Sequence, residues 1–95
     1  MIIPKKIKIG NLTYIIKISN KREEQDVMGS TYIKTQDIII SRNIKREKQE
    51  ETFFHEIIHA ILEDMREREL GDNEKFVHGM ARILYQSLKD SNLLR

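Results

Sequence analysis

The hydrophobic positions in the first forty residues of the chain follow the spacing of β-strands. Apolar and polar residues alternate in part between Lys6 and Ile18, and a period of two residues is typical of a strand with one buried face. Gly10-Asn11 interrupts this stretch with a common turn sequence. The pattern predicts a short strand, a tight turn and a longer strand, followed by a polar loop from Ser19 to Asp26.

Two more strands are predicted before the middle of the chain. Strand-forming residues are frequent in Gly29–Thr35 and in Asp37–Ser41, with a turn expected at Thr35-Gln36-Asp37 between them. Three successive isoleucines at positions 38–40 make the second segment the clearest strand of all. We therefore expect a three- or four-stranded, mostly antiparallel sheet.

From Asn43 onward the hydrophobic spacing becomes helical. Apolar residues recur at intervals of three and four, which is the pattern of a helix with one buried face. Asn43 is expected to cap the start of this helix, and Gly71 is expected to end it in the left-handed conformation. The apolar stripe consists of Phe54, Ile57, Ile58, Ile61, Leu62 and Met65.

A second helix is predicted from an N-cap at Asp72 to about Lys89. The connection over residues 70–73 is short, so the two helices should be antiparallel neighbours. The predicted fold class is α+β, with the small sheet followed by two packed helices, and residues 91–95 are expected to fray. The apolar face of the second helix consists of Phe76, Val77, Met80, Ala81, Leu84 and Leu88.

Composition narrows the class of protein. The 95 residues are expected to form one domain, residues 1–95, because a chain of this length holds a single small core. Charged residues make up 34% and apolar residues 39%, which favours a folded soluble domain over a disordered chain. Cysteine is absent, so disulfide and thiolate chemistry is excluded. The net charge of +2 is too small to indicate direct nucleic-acid binding.

The start of the chain carries no targeting signal that we recognise. Residues 1–5 lack an apolar run long enough for a signal peptide or a membrane span. We therefore expect a cytoplasmic protein with no membrane partner. An exposed sheet edge in so small a domain leaves both a monomer and a dimer open.

The sequence His55-Glu56-Ile57-Ile58-His59 is the strongest candidate for chemistry. Residues four apart on a helix lie about 5–6 Å from one another at Cβ, so both imidazoles can reach one zinc ion at roughly 2.0–2.1 Å. Glu56 lies about 100° round the helix from His55 and can act as general base toward a zinc-bound water. Both histidines fall at the edge of the apolar stripe, between core and solvent.

Catalytic zinc usually takes a third protein ligand, and the second helix offers two candidates. Glu74 and His78 are four residues apart and share one face. His78 is preferred because neighbouring apolar residues would fix its ring, whereas a carboxylate in the first turn already stabilises a helix N-terminus. The predicted mechanism places Zn²⁺ on His55, His59 and His78. Glu74 is the alternative third ligand. Glu56 accepts the proton of the attacking water and passes it to the leaving amine.

Tyr85 lies two turns beyond His78 on the same side of the second helix. Its phenol could hydrogen-bond the oxyanion of a tetrahedral intermediate. The preferred interpretation is a partly buried tyrosine that closes the edge of the core.

Over about residues 50–88 the chain resembles the ImmA/IrrE-type zinc metallopeptidases, a group of small, often phage- or prophage-associated, gluzincin-like domains. Their pattern is H-E-x-x-H on one helix and E-x-x-A-x-x-F-A on the next, with that Glu as third ligand. When this family pattern is aligned with the sequence, its Glu position coincides with His78 and two of its apolar positions coincide with Ala81 and Leu84. Histidine in place of Glu is more like the zincins with three histidine ligands, which leaves the subfamily open. The resemblance implies a minimal zincin-like, Zn²⁺-dependent endopeptidase acting on a peptide or protein, with a regulatory protein as one candidate substrate.

Two other functions compete with the peptidase. One is a metal-binding but non-catalytic zincin-fold module with a regulatory or interaction role. The other is a small interaction protein that uses the charged segments at residues 45–48 or 63–69, although such runs are usually a solvated helix face.

Overall fold

The structure is a computed structural model that describes residues 1–20 and 27–94. Within those residues one four-stranded sheet is followed by three helices, which confirms the predicted α+β class. The loop predicted for Ser19–Asp26 falls largely outside the described residues, and Ser19 itself ends a strand. The elements are β1 (Lys6–Ile9), β2 (Leu12–Ser19), β3 (Gly29–Tyr32), β4 (Asp37–Ser41), α1 (Arg46–Asp64), α2 (Arg68–Asp72) and α3 (Glu74–Asp90).

The sheet has the strand order β1-β2-β4-β3. The pairs β1–β2 and β3–β4 are antiparallel, as predicted, whereas β2 and β4 are parallel, with Ile16 opposite Ile38 and Ile18 opposite Ile40. β3 is shorter than its predicted span and ends at Tyr32, because the chain turns over residues 33–36. The turn is completed at Gln36, which has a φ of 59°. Among the strands that the structure describes, this order leaves β3 at one edge of the sheet, next to β4.

The hydrophobic core lies between one face of the sheet and the helices. Alternate residues of β2 and β4 point inward, and Ile38 and Ile40 are fully buried. The helix α1 contributes buried side chains from several of its sides, because it contacts the sheet, α2 and α3. The buried core consists of Ile3, Ile9, Tyr14, Ile16, Ile38, Ile40, Phe53, Phe54, Ile58, Ala60, Leu62, Val77, Ala81 and Tyr85.

Both predicted ends of the first helix were wrong. The helix α1 begins at Arg46 with Lys45 as N-cap, so Asn43 does not cap it. It stops at Asp64, well before Gly71, which lies inside α2. Arg66 takes the left-handed conformation instead, with a φ of 62°. The amides of residues 66 and 67 then bond back to the carbonyls of residues 63 and 62, which is a Schellman closure.

The second predicted helix is α3, and it starts slightly later than expected. Asn73 is its N-cap and accepts a hydrogen bond from the amide of Phe76 at 3.1 Å, so the cap is Asn73 and not Asp72. Its fully buried residues are Val77, Ala81 and Tyr85. Other members of the predicted apolar face, Met80 and Leu84 among them, remain exposed.

Gly29, the first residue of β3, allows this edge strand to lie close against α1. A Cβ there would sit 2.5 Å from Thr52 Cγ2 and 3.2 Å from Glu56 Cγ. We expect Gly29→Ala to lower the free energy of unfolding by about 1–3 kcal/mol, because strand or helix must move to relieve the overlap. Denaturant titration measures this change.

Gly79 supplies the matched control for that substitution. A Cβ on Gly79, in the middle of α3, meets nothing within 4 Å. Gly79→Ala should therefore be neutral or should stabilise the protein by about 0.4–1 kcal/mol. Equal stability of the Gly29→Ala protein and the wild type would contradict the close approach of β3 to α1.

Candidate metal centre

The helix α1 brings His55 and His59 together, as the sequence predicts. Their ring centroids are 5.0 Å apart. The two side chains are 20% and 21% exposed, so each is walled by the fold on one side and open on the other. The prediction that these histidines lie between core and solvent is confirmed.

Glu74, the first residue of α3, reaches both histidines. Its Oε1 lies 3.0 Å from His55 Nε2, and its Oε2 lies 3.1 Å from His59 Nε2. One ligand atom from each of the three residues lies within 4.8 Å of the others. The cap at Asn73 fixes the start of α3 and with it the position of this carboxylate.

These separations are compatible with a bound metal ion. Ligand atoms at roughly 2.0–2.1 Å from a tetrahedral zinc are about 3.3 Å from one another. Each imidazole has an oxygen of Glu74 at a similar distance, Oε1 at 3.0 Å from His55 and Oε2 at 3.1 Å from His59. Two nitrogens and one carboxylate oxygen are also a usual ligand set for catalytic zinc, which keeps a fourth position for water or substrate. The group His55, His59 and Glu74 could therefore hold a metal ion.

His78, the preferred third ligand, is not in this group. Its ring centroid is 6.1 Å from that of His55, and the residue is exposed. It lies one turn further along α3 than Glu74, on the wall of the same cleft. The structure thus brings the two predicted histidines to the alternative ligand, Glu74, and leaves His78 beside them.

A signal for Glu74 was present in the sequence. If the pattern E-x-x-A-x-x-F-A is started at Glu74, its apolar positions fall on Val77, Met80 and Ala81. In this alignment the first position of the pattern is a glutamate, whereas in the alignment that starts at His78 it is a histidine. The preference for His78 rested on the packing of its ring and on the usual role of a first-turn carboxylate at a helix N-terminus, and neither reason carried information about the distance to α1.

Glu56 follows His55 on α1 and is buried, with 5% of its surface exposed. Thr31, on β3, has its hydroxyl 2.6 Å from Glu56 Oε1 and 3.0 Å from the Glu56 carbonyl oxygen. Burial raises the pKa of the Glu56 carboxyl, while the Thr31 hydrogen bond and the nearby histidines oppose that rise. A carboxylate with a raised pKa is a stronger base, and Thr31 holds it against the edge strand.

An open cleft of about 1010 Å³ contains these residues. Both β3 and α3 contact α1 but not each other, so α1 forms the floor of the cleft between them. Glu56 and His78 reach the cleft along with the three members of the candidate metal group.

Tyr85 does not line this cleft. Its hydroxyl is buried and donates a hydrogen bond to Glu50 at 2.6 Å. Burial and the Glu50 carboxylate raise the pKa of Tyr85 to about 12. This arrangement agrees with the preferred interpretation of Tyr85 as a tyrosine that closes the core.

No protein family, curated protein or solved structure matches this chain. In the described part of the chain, no helix is both long enough and apolar enough to span a membrane. The geometry of the cleft is therefore the main guide to what the protein does.

Proposed function

We propose that this protein is a zinc-dependent endopeptidase with His55, His59 and Glu74 as metal ligands and Glu56 as general base. The observation that carries the proposal is the approach of Glu74 to both histidines of the H-E-x-x-H sequence, at 3.0 and 3.1 Å. The buried carboxylate next to this group and the open cleft around it support the same chemistry.

His55, His59 and Glu74 would hold the zinc ion, which would supply a Lewis acid for the scissile carbonyl and for the attacking water. Glu56 takes the proton of the attacking water and delivers it to the leaving amine. Thr31 orients the carboxylate through its 2.6 Å hydrogen bond. The helices α1 and α3 bring one ligand atom from each of His55, His59 and Glu74 within 4.8 Å of the others, which gathers the proposed ligands in one place.

The edge strand β3 supplies a means of holding the substrate. Among the strands of the described residues it pairs with β4, and its residues line the cleft beside the metal group. An extended peptide can add to the outer side of an edge strand and so extend the sheet. The substrate class proposed is therefore an extended or unfolded segment of a peptide or protein.

The family proposed for the chain is the ImmA/IrrE-type zinc metallopeptidases. Support for this family comes from H-E-x-x-H on α1 and from the pattern on α3 in which Glu74 is followed by apolar residues at the expected positions. With Glu74 as third ligand, the chain no longer departs from that pattern at the ligand position. A phage or prophage origin and a regulatory protein as substrate are part of this proposal.

A non-catalytic metal-binding module is the second candidate. The hydrogen bond from Thr31 to Glu56 joins β3 to α1, and a buried carboxylate can be retained for such a structural bond alone. In that case the site binds zinc and Glu56 serves the fold.

Zinc content and hydrolysis of an unfolded protein such as casein test the proposal together. We expect one zinc per chain by elemental analysis. Cleavage should be lost on treatment with phenanthroline and restored by added zinc. No bound metal, even after zinc is offered, would overturn the proposal. One zinc per chain with no cleavage would favour the non-catalytic module.

A further inference from the structure

His78 lies beside the candidate metal group without a hydrogen-bond partner of its own. Its ring centroid is 6.1 Å from that of His55, and the residue is exposed on the wall of the cleft. In the part of the chain that the structure describes, neither of its ring nitrogens takes part in a hydrogen bond or an ion pair. The ring can therefore bond to a molecule that enters the cleft.

His78 is also the side-chain donor that α3 offers to the cleft. The described residues of α3 that line it are Glu74, His78 and Ala81. The Glu74 carboxylate can only accept hydrogen bonds and already faces the two histidines of α1, and Ala81 is apolar. A neutral imidazole carries one N–H in either tautomer, so His78 can donate without being protonated.

The proposed general base lies toward the other wall. Thr31, on β3, binds the Glu56 carboxylate at 2.6 Å, whereas His78 is on α3. The elements β3 and α3 both contact α1 but not each other, so the cleft separates them. A peptide bond placed over His55 and His59 would have the proton acceptor on the β3 side and the unpartnered donor on the α3 side.

We propose that His78 is a catalytic residue of the peptidase and donates a hydrogen bond to the scissile carbonyl oxygen as that oxygen becomes negative. This inference rests on the proposed function. When water adds to the carbonyl carbon, its proton passes to Glu56 and the π electron pair moves to the carbonyl oxygen. His78 keeps its proton throughout, and the proton on Glu56 goes to the amine when the C–N bond breaks. A donor positioned for this charge stabilises the transition state more than the substrate.

This is the role that the sequence suggested for the phenol of Tyr85. That hydroxyl is buried, donates to Glu50 at 2.6 Å and does not reach the cleft. Seven residues correspond to about two turns, so His78 lies on the same side of α3 but nearer its start. It is therefore beside the candidate metal group, where a substrate carbonyl would bind.

A competing role for His78 is to orient Glu74 from outside the metal group. The two residues are four apart on α3 and share a face. No hydrogen bond joins them in the structure, because the Glu74 oxygens face His55 and His59 instead. Loss of such an outer partner costs about 10–100-fold in metal affinity, whereas loss of a donor to the substrate leaves metal affinity unchanged.

The substitution His78→Phe tests the proposal on the full zinc-loaded chain, with casein as substrate. Phenylalanine keeps a ring at this exposed position and removes the N–H. We expect kcat to fall by about 10²–10³, with KM within about twofold and with zinc affinity unchanged. His78→Gln should recover part of the loss, because its amide can donate. Arg82→Phe places the same ring at an exposed position of α3 outside the cleft and should keep the wild-type kcat.

Binding of a phosphinic peptide gives a readout that does not require turnover. Its tetrahedral anion resembles the carbonyl after water has added, and its sequence is taken from the first casein cleavage site found by mass spectrometry. Isothermal titration measures its affinity for the wild type and for each variant. His78→Phe should weaken binding by about the factor by which it lowers kcat/KM, because a transition-state analogue uses the same interactions.

The possible results separate this proposal from the proposed function. A wild type that does not hydrolyse casein would overturn both. If the wild type is active, unchanged kcat and unchanged phosphinic-peptide affinity in His78→Phe would overturn the role of His78 alone. A loss of activity that excess zinc restores would overturn it in favour of the outer-partner role. A raised KM with unchanged kcat would also overturn it, because the interaction would then be equal in substrate and transition state.

Discussion

Replacing Glu74 with alanine is expected to abolish stoichiometric zinc binding, whereas His78→Ala should retain one zinc per chain. Glu74 lies 3.0 and 3.1 Å from the two imidazole nitrogens, so its removal leaves two ligands in place of three. The loss of affinity should exceed the roughly 10–100-fold that removal of an outer partner costs. His78, with its ring 6.1 Å from that of His55, is at most such an outer partner.

Elemental analysis after dialysis against a fixed free-zinc concentration measures this difference. His55→Ala provides the positive control for loss. Glu69→Ala, which removes an exposed glutamate from α2, provides the matched control for retention. Zinc kept in Glu74→Ala but lost in His78→Ala would return His78 to the role of third ligand and would mean that α3 shifts along α1 when metal binds.

The local sequence pattern predicted the two histidine ligands but not the third ligand. The spacing of His55 and His59 is local to one helix, so the 3.6-residue repeat suffices to place both rings together. The choice between Glu74 and His78 depends on how far α3 is displaced along α1. That displacement is set by packing between helices and by the start of α3 at Asn73, neither of which appears in the helical period.

In the sheet, likewise, the strands could be predicted from the sequence but the direction of their pairing could not. Alternation in β2 and the isoleucines of β4 predicted both strands, because burial of one face imposes that pattern. The same alternation is compatible with a parallel or an antiparallel neighbour. The parallel pairing of β2 with β4 arises because β3 lies on the outer side of β4, which is a matter of strand order and has no local signal.

Two further differences have physical causes beyond the local pattern. The left-handed residue that closes α1 is Arg66 and not a glycine, a conformation that costs about 1–2 kcal/mol for such a residue. The bonds of the closing turn offset this cost. In α3 the apolar arc was recognised, but only the part with Val77 and Ala81 faces the core. An apolar period does not by itself show which part of the arc will be buried.

Glu56→Gln is expected to reduce hydrolysis by a factor of about 10²–10⁴ while leaving zinc content unchanged. The amide cannot take a proton from water. It has almost the same shape as the carboxylate, and its oxygen can still accept the hydrogen bond from Thr31 that joins β3 to α1. The substitution therefore removes the base and preserves the contact, which separates the chemical role of Glu56 from its structural role.

Initial rates of casein cleavage, zinc content and thermal unfolding should be measured on the same preparation. Glu63→Gln is the matched control, since Glu63 also lies on α1 and lines the cleft but is outside the metal group. Its turnover should remain within about twofold of wild type, because its carboxylate touches none of the proposed ligands. Undiminished cleavage by the Glu56→Gln protein would show that another group accepts the proton. Glu56 would then have a structural role, holding the edge strand through its hydrogen bond with the hydroxyl of Thr31.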